Sequence, residues 1–138
     1  MTDISVESTT FQVGRRNWLI PQPGGIGFGY TPSGTVDASL FTAGTHYPNG
    51  YLPSGIVLGR VTATGLLGPY DNAATDGRQT AVGFLFQEAT LKSSTARVGV
   101  AYVAAFAVVK TSLLPLTSGT GSLDAAGRAD LPTVHFEA

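Results

Sequence analysis

Residues 55–63 read GIVLGRVTA and residues 79–87 read QTAVGFLFQ. Both runs have the length of a strand and are rich in β-branched or aromatic residues. Turn formers bound them: Pro53-Ser54 opens the first, and the polar stretch 71–78, DNAATDGR, separates the two. Two such runs either side of a polar loop containing Asp76-Gly77 predict an antiparallel ribbon, and with it a mainly β fold. Working outward, residues 98–109 (VGVAYVAAFAVV) alternate bulky Val98, Val100, Tyr102, Phe106 and Val108 with small Gly99, Ala101, Ala105 and Ala107. That two-residue period predicts a strand buried on both sides, while the alanine content leaves a helix open as the alternative. Pro48-Asn49-Gly50 marks a turn. Residues 36–43, VDASLFTA, read as a short helix of about two turns, with Thr35 or Asp37 as N-cap and Gly44 just past its end. A second short helix is expected over residues 124–130, capped by Ser122 or Asp124 and ended by Pro132, before a last strand over residues 133–136.

The chain has 138 residues, one domain's worth, and 43% of them are hydrophobic, enough to fill one core. Only 12% are charged, against about 25% in an average soluble domain, so Ser, Thr, Gly and Asn must build much of the surface. Eight basic against nine acidic residues give a net charge of -1, with no basic cluster longer than Arg15-Arg16. Nucleic-acid binding therefore has no electrostatic footprint, and the near-neutral surface permits self-association or docking onto a larger assembly. The absence of cysteine excludes disulfide frameworks, thiolate catalysis and cysteine zinc sites. Residues 1–12 lack the basic-then-apolar pattern of a secretory signal, and the longest apolar run, residues 98–109, falls short of the roughly 20 residues needed to span a bilayer. Synthesis in the cytoplasm and no membrane partner are the expectations.

Chemistry-bearing constellations are sparse. His46 and His135 have no second histidine or carboxylate at metal-ligand spacing and are read as ordinary surface or loop residues. No G-x-S-x-G elbow is present, and Ser54 sits at a strand start. Asp71, Asp76 and Glu88 lie among turn residues near Arg78, as solvated loop charges do. The segment GGIGFG, residues 24–29, lacks the G-x-G-x-x-G spacing and its strand-helix context. Neither catalytic residues, nor a metal site, nor a cofactor is expected.

Two N-terminal segments stand apart. Residues 1–14 hold, besides Met1, only Ile4, Val6, Phe11 and Val13 as apolar side chains, and cannot offset the entropy of ordering by themselves. The alternation of Ile4 and Val6 with Ser5 and Glu7 has a strand's period, which suits an arm that becomes extended on a partner; a frayed terminus is the plainer reading. Residues 15–35 form a Gly/Pro-rich connector that excludes helix and contains one compact apolar group, Trp18-Leu19-Ile20. That group is either a second anchor for a partner or packs back onto its own subunit.

The run SLFTAGTHYPNGYLPSGIVLGRVTATGLLGPYD, with ATDGRQTAVGFLFQEA after it, resembles the head decoration proteins of tailed bacteriophages, the lambda-type capsid-stabilising (cement) family. The resemblance rests on Gly50-Tyr51, then Pro53-Ser54-Gly55 and Gly59, the Gly68-Pro69-Tyr70-Asp71 turn, and Asp76-Gly77 before Ala81-Val82-Gly83, over residues 36–136. It implies a mainly β, β-clip (β-tulip-like) domain over residues 36–138 with one or two short helices and a flexible N-terminal arm. It further implies a homotrimer on the outer surface of the virion, bound to the major capsid protein at three-fold and quasi-three-fold sites of the expanded head. The arm, with Ile4, Ser5, Val6, Glu7, Phe11 and Val13, would pair as a strand with that capsid protein. The competing reading is a β-rich module for glycans or a host surface, with Tyr30, Tyr47, Tyr51 and Tyr70 as stacking platforms.

Overall fold

The computed structural model describes residues 16–20 and 29–138. The expected ribbon forms. Its strands, Val57–Arg60 and Ala81–Leu85, run antiparallel with Val57 opposite Phe84 and Leu58 opposite Gly83, and the register shifts between Leu58 and Gly59. Taken in chain order, Leu19–Ile20 is β1, Ser33–Asp37 β2, Tyr51–Leu52 β3, Val57–Arg60 β4, Leu67–Pro69 β5, Ala81–Leu85 β6, Ala89–Thr90 β7, Arg97–Val103 β8, Val108–Lys110 β9 and His135–Glu137 β10. Two short helices, α1 (Ala43–His46) and α2 (Ala125–Asp130), complete a mainly β chain.

Strands β2, β5, β4, β6 and β8 close a barrel in that order. The alternating direction of side chains sorts its wall residues into two clusters. Val36, Leu58, Leu67, Leu85 and Tyr102 belong to one; their chain neighbours Val57, Phe84 and Val103 belong to the other, together with Trp18, Leu19, Val109 and Leu131. The second cluster is completed by a small sheet in which β9 pairs antiparallel with β1 and parallel with β10. Trp18 joins this sheet to the barrel. Its indole is fully buried, lies 5.5 Å from the Phe84 ring, and donates from Nε1 to Ser54 Oγ at 3.1 Å, while Ser54 donates to the Phe86 carbonyl at 2.8 Å. The next residue must be glycine: Gly55 has φ +99°, and a Cβ there would stand 2.8 Å from the indole nitrogen.

Two expected elements differ from what forms. Residues 36–43 do not make a helix; Val36 is drawn into β2 by pairing with Val98 and Leu67, and only a 3-10 turn, Ala38–Leu40, follows. Asp37 does cap, accepting the Ser39 N–H at 3.0 Å, but it caps that turn, and Gly44 lies inside α1. The run 98–109 is broken into β8 and β9 by residues 104–107, where Phe106 takes φ 57°. Its first half is not buried on both sides, since Arg97 and Gly99 are exposed. The expected second helix forms as α2, with Asp124 accepting the Gly127 N–H at 2.7 Å.

Candidate functional site

Among the described residues, His46 and Ser54 are taken up by structural contacts. His46 is a buried clamp rather than a surface residue, at 2% exposure. Its Nδ1 accepts the Thr42 N–H at 2.8 Å, which places the ring proton on Nε2, 3.0 Å from the Thr120 carbonyl. His135 is exposed, with Nε2 3.5 Å from Glu137. Ser54 is 5% exposed and occupied by Trp18 and Phe86. Among the described residues no group of three or more His, Asp or Glu could hold a metal ion, and no helix is long and apolar enough to cross a membrane.

Tyr70 is buried, with its hydroxyl donating to Asp124 Oδ1 at 2.7 Å, so its ring offers no face to a sugar. Burial, and then the adjoining Asp124 carboxylate, push its phenol well above the usual tyrosine range. Tyr47 and Tyr51 are half-buried, and only Tyr30 of the four tyrosines is widely exposed. The group Trp18-Leu19-Ile20 has its first two residues in the core and Ile20 half-buried, so the indole surface an anchor would present is already covered within the chain. The arm residues Ile4, Ser5, Val6, Glu7, Phe11 and Val13 lie outside the described residues.

Two surface features remain. Tyr30 and Phe106 are both more than half exposed; the Tyr30 N–H donates to the Ala105 carbonyl at 2.8 Å and the Tyr30 carbonyl accepts the Ala104 N–H at 2.9 Å, just before Phe106 in the chain. Phe106 is also the only described non-glycine residue with positive φ, a conformation that bulky side chains rarely adopt. The second feature is an open groove of about 600 Å³ between residues 87–90 and the first half of β8. Its walls are small or polar, including Gly34, Thr90, Gly99 and Ala101. Nothing in the sequence marked this groove, because it exists only where β6 and β8 part.

The family model for the bacteriophage lambda head decoration protein D matches residues 30–136, which take in β2 to β9 and all but the last residue of β10. The chain belongs to that family. No curated protein matches the chain beyond that. A head decoration protein is a structural component of the virion that binds a phage capsid, which accords with the sequence resemblance.

Proposed function

We propose that the protein attaches as a homotrimer to the outer surface of an expanded phage head, at three-fold and quasi-three-fold sites, and stabilises the shell against the pressure of packaged DNA. Residues 1–14 act as the arm, adding an extended strand to the major capsid protein, and residues 36–138 as the decoration domain, with residues 15–35 between them. The family match over residues 30–136 carries this reading. It is supported by an arm sequence that alternates like a strand and cannot build a core, since main-chain pairing at an exposed sheet edge needs little side-chain area. Three arms per trimer would convert weak single contacts into durable attachment, with avidity gains on the order of 10²–10⁴.

Light scattering and co-sedimentation with expanded heads test it together. The full chain is expected to have the mass of a trimer and to sediment with heads. A variant lacking residues 2–13 should keep its fold and its trimer mass, since the deletion removes none of the described core, yet bind heads at least about a hundredfold more weakly. A monomer, or a truncated protein that still sediments like the full chain, would overturn the reading.

A further inference from the structure

The turn at Pro48-Asn49-Gly50 carries chemistry as well as a change of direction. An asparagine followed by glycine can react with its own backbone. The nitrogen of the next residue attacks the side-chain amide carbon, and glycine, having no Cβ, leaves that approach unobstructed. The asparagines of the chain are Asn17, Asn49 and Asn72, and the residues after them are Trp18, Gly50 and Ala73. Only Asn49 meets the requirement.

Its surroundings favour the reaction. Asn49 and Gly50 are both exposed and lie between α1 and β3, outside any strand. Gly50 has φ +84°, and a Cβ built on it would meet nothing within 4 Å, so the backbone has space to rotate as a ring closes. The Gly50 N–H is held by a turn bond to the Tyr47 carbonyl at 3.1 Å, toward the long end of the usual range. Asp76-Gly77 could form the same ring from a carboxyl group, but it is built in the opposite way. The Gly77 N–H donates to Gln79 Oε1 at 2.8 Å, and the Asp76 carbonyl accepts the Thr62 N–H at 2.9 Å. A Cβ on Gly77 would collide with the Arg60 carbonyl and the Thr62 hydroxyl, and the Asp76 carboxylate is ion-paired with Arg78 Nε at 3.0 Å.

We propose that Asn49 is a modification site at which the chain deamidates itself. The Gly50 nitrogen bonds to Asn49 Cγ, the bond from Cγ to the side-chain nitrogen breaks, and ammonia leaves with the Gly50 amide proton, closing a succinimide. Water then opens the ring. Addition at Cγ gives aspartate, whereas addition at the main-chain carbonyl carbon gives isoaspartate, in which the backbone runs through Cβ and Cγ. Either product adds one negative charge to a chain of formal net charge -1. The isoaspartate form also lengthens the backbone just before β3. There the Leu91 N–H donates to the Gly50 carbonyl at 2.9 Å and Tyr51 pairs with Thr90, so the extra atom loosens the pairing of β3 with β7. The inference stands whether or not the capsid-binding role does.

Peptide mapping by mass spectrometry tests this on the folded full chain after incubation in warm, mildly alkaline buffer. Conversion at Asn49 should run at least about tenfold faster than at Asn17 or Asn72, with no isomerisation at Asp76. Asn49→Gln should abolish the new acidic form on anion exchange. In the purified isoaspartate form the Leu91 amide should exchange at least about tenfold faster than in fresh protein. Conversion at Asn49 no faster than at Asn72, conversion seen only after unfolding in urea, or isomerisation at Asp76 at a matching rate would overturn the inference. Unchanged Leu91 exchange in the isoaspartate form would overturn the loosening of β3 from β7.

Discussion

Gly59 sits in the middle of a strand, where glycine ordinarily weakens the ladder, and its surroundings show why it is there. A Cβ at this position would lie 2.7 Å from both the Cα and the carbonyl oxygen of Arg78, backbone atoms that cannot swing aside as a side-chain tip can. The register shift between Leu58 and Gly59 is the local form of that close approach. Gly59→Val is therefore expected to cost at least about 2 kcal/mol, read as a lowered midpoint in urea with an unchanged slope. A midpoint equal to that of the parent would show that the 71–78 loop yields without cost. A glycine interrupting a β-branched run implies either a bulge or a close approach, and both are present at Gly59.

At the scale of elements, local signals were read correctly but assigned to the wrong partners. VDASLFTA has a capping aspartate and a trailing glycine, yet Val36 gains more from pairing with Val98 on one side and Leu67 on the other than from a two-turn helix. The parallel pairings of β2 with β5 and β10 with β9 join segments far apart in sequence, and no periodicity announces such contacts. The second helix was visible because its cap is local: Asp124 takes the Gly127 N–H. What was hidden is that the same oxygen also takes the Tyr70 hydroxyl, tying α2 to the end of β5. Burial of Tyr70, and then that bond, set an alkaline limit. The Tyr70 phenol has a folded-state pKa raised above its unfolded value, so it contributes stability in full below about pH 10 and loses it as pH rises through the higher folded value. Tyr70→Phe should cost about 1 kcal/mol at neutral pH and flatten the fall in melting temperature between pH 9 and 12. A fall of unchanged steepness in the variant would place the alkaline limit elsewhere.

For the whole molecule, the question is what keeps the β1-β9-β10 sheet on the barrel, and Trp18 decides it. A Trp-Leu-Ile group in a Gly/Pro-rich connector has the composition of an interface anchor, and sequence alone could not tell whether its partner was another protein or its own barrel. Among the described residues the other ring that Phe84 meets is Phe136, 6.3 Å away, and without Trp18 the Ser54 hydroxyl would lose its indole donor. Trp18→Ala thus removes an aromatic contact and opens a cavity between the two layers, a change that costs about 3–5 kcal/mol in comparable cores. Against a total stability of about 5–15 kcal/mol, that is a large share. The melting temperature should fall by roughly 10–20 °C for a domain of this size. Trp18→Phe, which keeps a ring but no donor, should recover more than half of the loss. An anchor reserved for a partner would behave in the opposite way: Trp18→Ala would leave the melting temperature of the free protein unchanged and weaken only its attachment to heads. The two measurements on one variant therefore separate a residue that builds the domain from one that presents it.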